Sequence, residues 1–142
     1  MSEKENVELF RRVTLGVFAD GDLSVIDECL TDDFVEHEPA PGVRPGREGV
    51  KDIATMIRTG FPDLRITIDD AFGVGDQVSA RSTWKGTNTG SFMGMPATGR
   101  PATWEAIDII HVRNGRINEH WGQMDIMGLF TQLGLMQMPM AA

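Results

Sequence analysis

Apolar positions recur at two different spacings along this chain. Over residues 3–19, Phe10, Val13 and Val17 form a stripe with charged residues around it, which predicts an amphipathic helix ended by Gly21 and Asp22. Leu23, Ile26 and Leu30 predict a second, short helix over about 23–30. "DDFVEHEP" reads as a brief extended segment stopping at Pro39, and "APGVRPGREG" as a Pro/Gly loop. Val50, Ile53, Ile57 and Phe61 predict a third helix over about 48–60.

After Pro62 the spacing drops to two. Leu64, Ile66 and Ile68 alternate with Arg65, Thr67 and Asp69, giving a strand with one wet face. "GVGD" is a turn, and "QVSARSTWKG" is a second strand with Val78, Ala80, Ser82 and Trp84 on one side. A long Gly/Thr-rich connection, "TNTGSFMGMPATGRP", leads to "TWEAIDIIHV", apolar enough on both faces to be a central strand. Asn114-Gly115 signals a tight hairpin. The following strand runs into a short helix carrying Ile126, Leu129, Phe130 and Leu133. Helices first, then an antiparallel or mixed sheet, then a closing helix make an α+β domain, with helices on one side of a curved sheet. No composition shift divides the chain, so residues 1–142 are expected to form one domain.

The last hairpin sets which side chains share a face. With a two-residue turn, Arg113 pairs with Arg116, His111 faces Asn118, Ile109 faces His120, Asp108 faces Trp121, and Trp104 faces Asp125. One face then holds Trp104, Asp108, Glu119, Trp121, Gln123 and Asp125, and the other holds Glu105, His111, Asn118 and His120. In that register His111 and Asp125 lie on opposite faces; they share one only if a β-bulge shifts the parity by one. Polar groups on an inner sheet face are costly unless paired or used, and a curved sheet that helices leave partly open makes a pocket suited to a small molecule.

Composition narrows the partners. The net charge is −8 and no Lys/Arg cluster stands out, which argues against nucleic acid. No apolar run approaches a membrane span, and the charged start "MSEKENVELFRR" lacks a signal-peptide core, so a cytoplasmic protein with no membrane partner is expected. The single cysteine, Cys29, rules out an intrachain disulfide and a cysteine-built zinc site. Glu36, His37 and Glu38 are strand neighbours that point alternately and do not converge on a metal. Met127, Met136, Met138 and Met140 crowd the C-terminus and suit gap-filling or a subunit contact.

"DDFVEHEPAPG", "FPDL", "GSFMGMPATGR", "RNGRINEHW" and "DIMGLFTQLG", in this order and spacing, resemble the SnoaL-like polyketide cyclases, members of the superfamily with the nuclear-transport-factor-like cone fold. The resemblance covers about residues 7–135. It implies a cone-shaped pocket and a cofactor-free enzyme of antibiotic biosynthesis. Such an enzyme closes a ring in a hydrophobic aromatic polyketide ester by intramolecular aldol condensation, and forms a homodimer or homotetramer. It also implies an acid/base aspartate at Asp125, a site histidine at His111 and a polar pocket residue at His37. Alternatives are a related cone-fold enzyme that hydroxylates, isomerises or dehydrates polycyclic substrates, or a non-catalytic small-molecule binder.

The implied chemistry sets demands on these residues. Burial beside Trp104 and Trp121 would raise the pKa of Asp125 towards that of a working base, and His111 would stabilise the oxyanion. Phe92, Met93 and Met95 would form an apolar lid, with His37, Trp104, Trp121 and Met93 touching the substrate. Position alone allows quieter roles. Asp125 directly precedes a helix and is a favoured N-cap, and helix amides would hold its charged form. His111 suits a hydrogen-bonded sheet histidine, His120 a structural or interface residue, and Asp108 a paired core acid.

Overall fold

The computed structural model of the chain describes residues 2–136. Helix α1, Glu3–Val13, begins with a capping box: Ser2 Oγ accepts the Glu5 amide, and the Glu5 carboxylate accepts the Ser2 amide. The predicted single helix over 3–19 changes character at Thr14, where a π-helical stretch, Thr14–Ala19, takes over. Helix α2, Ser24–Cys29, leads directly into strand β1, Leu30–Glu36. Helix α3, Gly46–Gly60, precedes β2, Arg65–Val74, and β3, Gln77–Thr87. The chain closes with β4, Pro101–Arg113, β5, Arg116–Met124, and α4, Ile126–Gln132.

The five strands form one sheet in the order β1-β5-β4-β3-β2. The strand predicted to be central, β4, is at its centre. Neighbours pair antiparallel except β1, which runs parallel to β5, so the sheet is mixed. The turn between β4 and β5 follows the Asn-Gly rule: Asn114 and Gly115 both have positive φ, 51° and 79°. Arg113 pairs with Arg116 and Val112 with Ile117, but His111 pairs with Glu119. Asn118 is left over as a β-bulge, and every later residue of β5 swaps faces relative to the plain hairpin count.

The swap decides the two faces. Trp104, Ala106, Ile110 and Val112 of β4 are buried on the helix-covered side, and this is also the face of Asp108, His120 and Gly122. The opposite face carries exposed Phe72, Val74, Ile107 and Ile109, together with His111 and half-buried Trp121. The predicted grouping of Trp104 and Asp108 with Glu119 and Trp121 is therefore corrected by one inserted residue.

Two apolar clusters pack between sheet and helices. The first joins Phe10, Val13, Val17, Ile26, Leu30 and Phe34 to Ile110, Val112 and Ile117. The second joins Ile57, Phe61 and Phe92 to Trp84, Trp104, Leu129 and Leu133. The long connection after β3 is tied to α3 by Asn88. Its amide donates to the carbonyls of Gly60 (3.1 Å) and Gly90 (2.9 Å), and its Oδ1 accepts from Thr98 N and Oγ1, both at 2.9 Å. No described helix is long and apolar enough to cross a membrane. Met138 and Met140 lie outside the described residues.

Candidate active site

The uncovered part of the inner sheet face opens a cavity of about 880 Å³. That volume lies within the range of small-molecule sites. Its walls are mainly apolar: Phe10, Val13 and Phe18 from the first helical segment, Val50, Ile53 and Met56 from α3, and Trp84, Ala106 and Ile110 from the sheet. Phe18 meets Trp84 edge to face with centroids 5.3 Å apart. Of the polar lining residues, which also include Thr14, Glu38, Arg44 and Gln123, three form one cluster: Glu36, Asp108 and His120.

Register brings these three together. Glu36 at the end of β1 pairs with His120 of β5, and Asp108 of β4 stands opposite Gly122, two residues on from His120 along the same face. The imidazole bridges both acids: Nδ1 lies 2.5 Å from Glu36 Oε2, and Nε2 lies 2.7 Å from Asp108 Oδ1. Only a small part of each side chain reaches solvent, 20% for Glu36, 15% for Asp108 and 26% for His120. Burial alone would push the His120 pKa down. The hydrogen bonds and charges of Asp108 and Glu36 outweigh it and hold the ring up at about 9. At neutral pH His120 is thus an imidazolium donating both N–H groups to carboxylates. Glu36 Oε1 is also occupied, accepting the Glu38 amide at 2.9 Å. Among the described residues, Asp108 Oδ2 has no hydrogen-bond partner, and Asp108 lines the cavity. The two acids grip opposite ring nitrogens and do not converge on one point. Among the described residues no cluster suited to a metal ion is found.

Gly122 makes room for this arrangement. A Cβ there would stand 2.6 Å from His120 Cε1 and 2.7 Å from Asp108 Oδ1. Its φ is not in the left-handed region, so the need is for space rather than for backbone freedom. Gly122→Ala is expected to break the His120–Asp108 contact with the fold intact. The His120 pKa, read from its ring proton shifts in an NMR titration, should fall below about 9. An unchanged titration would show that the dyad tolerates the methyl group.

The residues singled out from sequence divide between two places. Asp125 is an N-cap: its Oδ1 accepts the Gly128 amide at 2.9 Å, the residue is exposed, and it is not among those lining the cavity. Alternation along β4 puts His111 on the outer face, and the parity shift brings Glu119 to it, with His111 Nδ1 3.0 Å from Glu119 Oε2. His37 joins it there, with Nε2 3.2 Å from Glu119 Oε1 and its ring stacked on Trp121 at 4.2 Å. His111 packs on Trp121 as well, at 4.7 Å. His37, His111 and Trp121 therefore form one cluster, outside the cavity lining. Trp104 is buried against Phe61 and Trp84 rather than lining the cavity.

Met93 does line the cavity, at φ 51° on the tip of the 88–100 connection. Phe92, expected in the lid beside it, also lines the cavity, and its ring is buried between Phe61 and Phe130. Sequence reasoning passed over His120 and Glu36. The available signal was Asp108 itself, an acid inside the apolar run "AIDII" that demands a partner.

Comparison with known proteins agrees with this architecture. The family model described as SnoaL-like polyketide cyclase matches residues 8–133. Aklanonic acid methyl ester cyclase DauD of Streptomyces sp. strain C5 is 29% identical over 111 residues, 78% of this chain and 67% of that protein. Aklanonic acid methyl ester cyclase DnrD of Streptomyces peucetius is 38% identical over 60 residues, 42% of this chain and 41% of that protein. Among solved structures, TsrD from Streptomyces laurentii superposes with a TM-score of 0.85 at 32% identity, covering 96% of this chain and 99% of that one.

Proposed function

We propose, on the premise that this chain belongs to the SnoaL-like polyketide cyclase family, that it closes a ring in an aromatic polyketide ester by cofactor-free intramolecular aldol condensation. The observation that carries the proposal is the free Asp108 oxygen facing an apolar cavity, with its other oxygen held by a buried imidazolium. The relatives named as methyl ester cyclases supply the substrate class. We assign the acid/base role to Asp108 rather than to Asp125, because the Asp125 carboxylate is solvated and caps α4.

The reaction needs only proton transfers and one new carbon–carbon bond. Asp108 Oδ2 takes a proton from the carbon between the ester and a conjugated ketone. The electron pair left behind spreads over both carbonyls, so a carboxylate suffices as base. The resulting enolate attacks a second carbonyl of the same molecule, and the new alkoxide recovers the proton from Asp108. His120 keeps its proton throughout, and through Nε2–H it holds Asp108 in one orientation, as Glu36 holds Nδ1–H. The apolar walls exclude water, which strengthens these interactions and protects the enolate.

The substrate and product are isomers, and that defines the test. Incubation of the protein with an aromatic polyketide methyl ester should yield a cyclised product of identical mass, with no metal or redox cofactor added. A product heavier by one oxygen atom, or an unchanged substrate that merely binds, would overturn the assignment.

A further inference from the structure

We infer that Thr14 is a substrate-positioning residue whose hydroxyl donates a hydrogen bond to a ring carbonyl oxygen of a polycyclic ligand in the cavity; this rests on the small-molecule site described above. In a helix a threonine hydroxyl ordinarily satisfies itself on the carbonyl four residues back. Thr131 does so, its Oγ1 donating to Met127 O at 2.8 Å. Thr14 does not: the Phe10 carbonyl takes the Thr14 backbone N–H, and among the described residues the hydroxyl has no partner. Yet the residue is only 7% exposed, and it lines the cavity. The hydroxyl is not sealed off: it opens to the cavity, where a bound oxygen acceptor can take the place of water.

Its setting sharpens the point. Thr14 opens the π-helical stretch, a backbone irregularity found often at functional sites. The same stretch turns Phe18 onto Trp84 to make an aromatic wall. Phe10 and Val13 flank Thr14 with carbon surface only. Thr14 carries the only hydroxyl among the described lining residues, whereas Glu36, His120 and Asp108 on the sheet wall bond to one another. A flat, oxygenated ring system resting on this wall gains an orienting bond that an unsubstituted hydrocarbon would not use.

Binding of 1,8-dihydroxyanthraquinone and of anthracene, followed by quenching of tryptophan fluorescence, separates this role from simple packing. Thr14→Val, of nearly the same shape, should weaken the quinone about fivefold, leave anthracene unchanged and keep the melting temperature. Thr14→Ser should restore quinone binding. Equal losses for both probes would mean that Thr14 only shapes the wall, and an unaltered quinone affinity would end the inference while leaving the cyclase assignment standing. If the unsubstituted protein bound neither probe, the small-molecule site and this inference would fall together.

Discussion

Asp108→Asn is expected to lower the rate of ring closure by about a thousandfold with little change in KM. The amide is nearly the same size, and its oxygen can still accept from His120 Nε2–H, so the cavity keeps its shape. What disappears is the group that takes the carbon-bound proton and returns it to the alkoxide. General acid–base catalysis by a positioned side chain is worth roughly 10²–10⁴ in rate, and both proton transfers depend on the same atom. Steady-state kinetics on an aromatic polyketide methyl ester, with a melting curve as a control for folding, make the measurement. A loss seen only in KM would show that Asp108 binds substrate without moving protons.

Folding stability should fall as pH rises from about 6.5 to about 9, and His120 is the cause. Its folded pKa lies above the ordinary value of 6.5, because Asp108 and Glu36 stabilise the charged ring more than burial penalises it. The stabilisation is therefore complete below about pH 6.5 and is lost as pH rises through about 9. A shift of this size corresponds to up to about 3 kcal/mol. Above that range three acids, Glu36, Asp108 and nearby Glu38, line the cavity with no imidazolium among them. Urea unfolding at a series of pH values, with His120→Gln alongside, isolates the effect. The unmodified protein should lose stability across this window, and the variant should start lower and stay flat. Parallel curves for the two would mean that His120 is not held charged.

Much of the fold is legible in the sequence because its elements are strongly patterned. Alternation in "RITI" and "QVSARSTW" marks β2 and β3, Asn114-Gly115 marks the turn, and the helical stripe around Val50, Ile53 and Ile57 marks α3. The site was hidden by one residue. A bulge at Asn118 leaves the composition of the strand unchanged but exchanges its two faces, so His120 moves inward to Asp108 while Trp121 moves outward to His37 and His111. Asparagine is a poor strand residue, and that was the only local hint. Glu36 could not be read as a partner, because its approach depends on β1 joining β5 in parallel across more than eighty residues of chain, a long-range pairing with no local signature. Asp125 sat where both a cap and a base were plausible from position, and in the fold its carboxylate lies at the amide end of α4.

The most direct test compares Asp108→Asn and Asp125→Asn side by side for turnover of one polyketide ester. Asparagine caps a helix about as well as aspartate, so the second change preserves α4 and isolates chemistry from folding. Turnover near that of the unmodified protein for Asp125→Asn, with almost none for Asp108→Asn, is the predicted result. Loss of turnover in Asp125→Asn, with Asp108→Asn fully active, would contradict the assignment of the cavity acid.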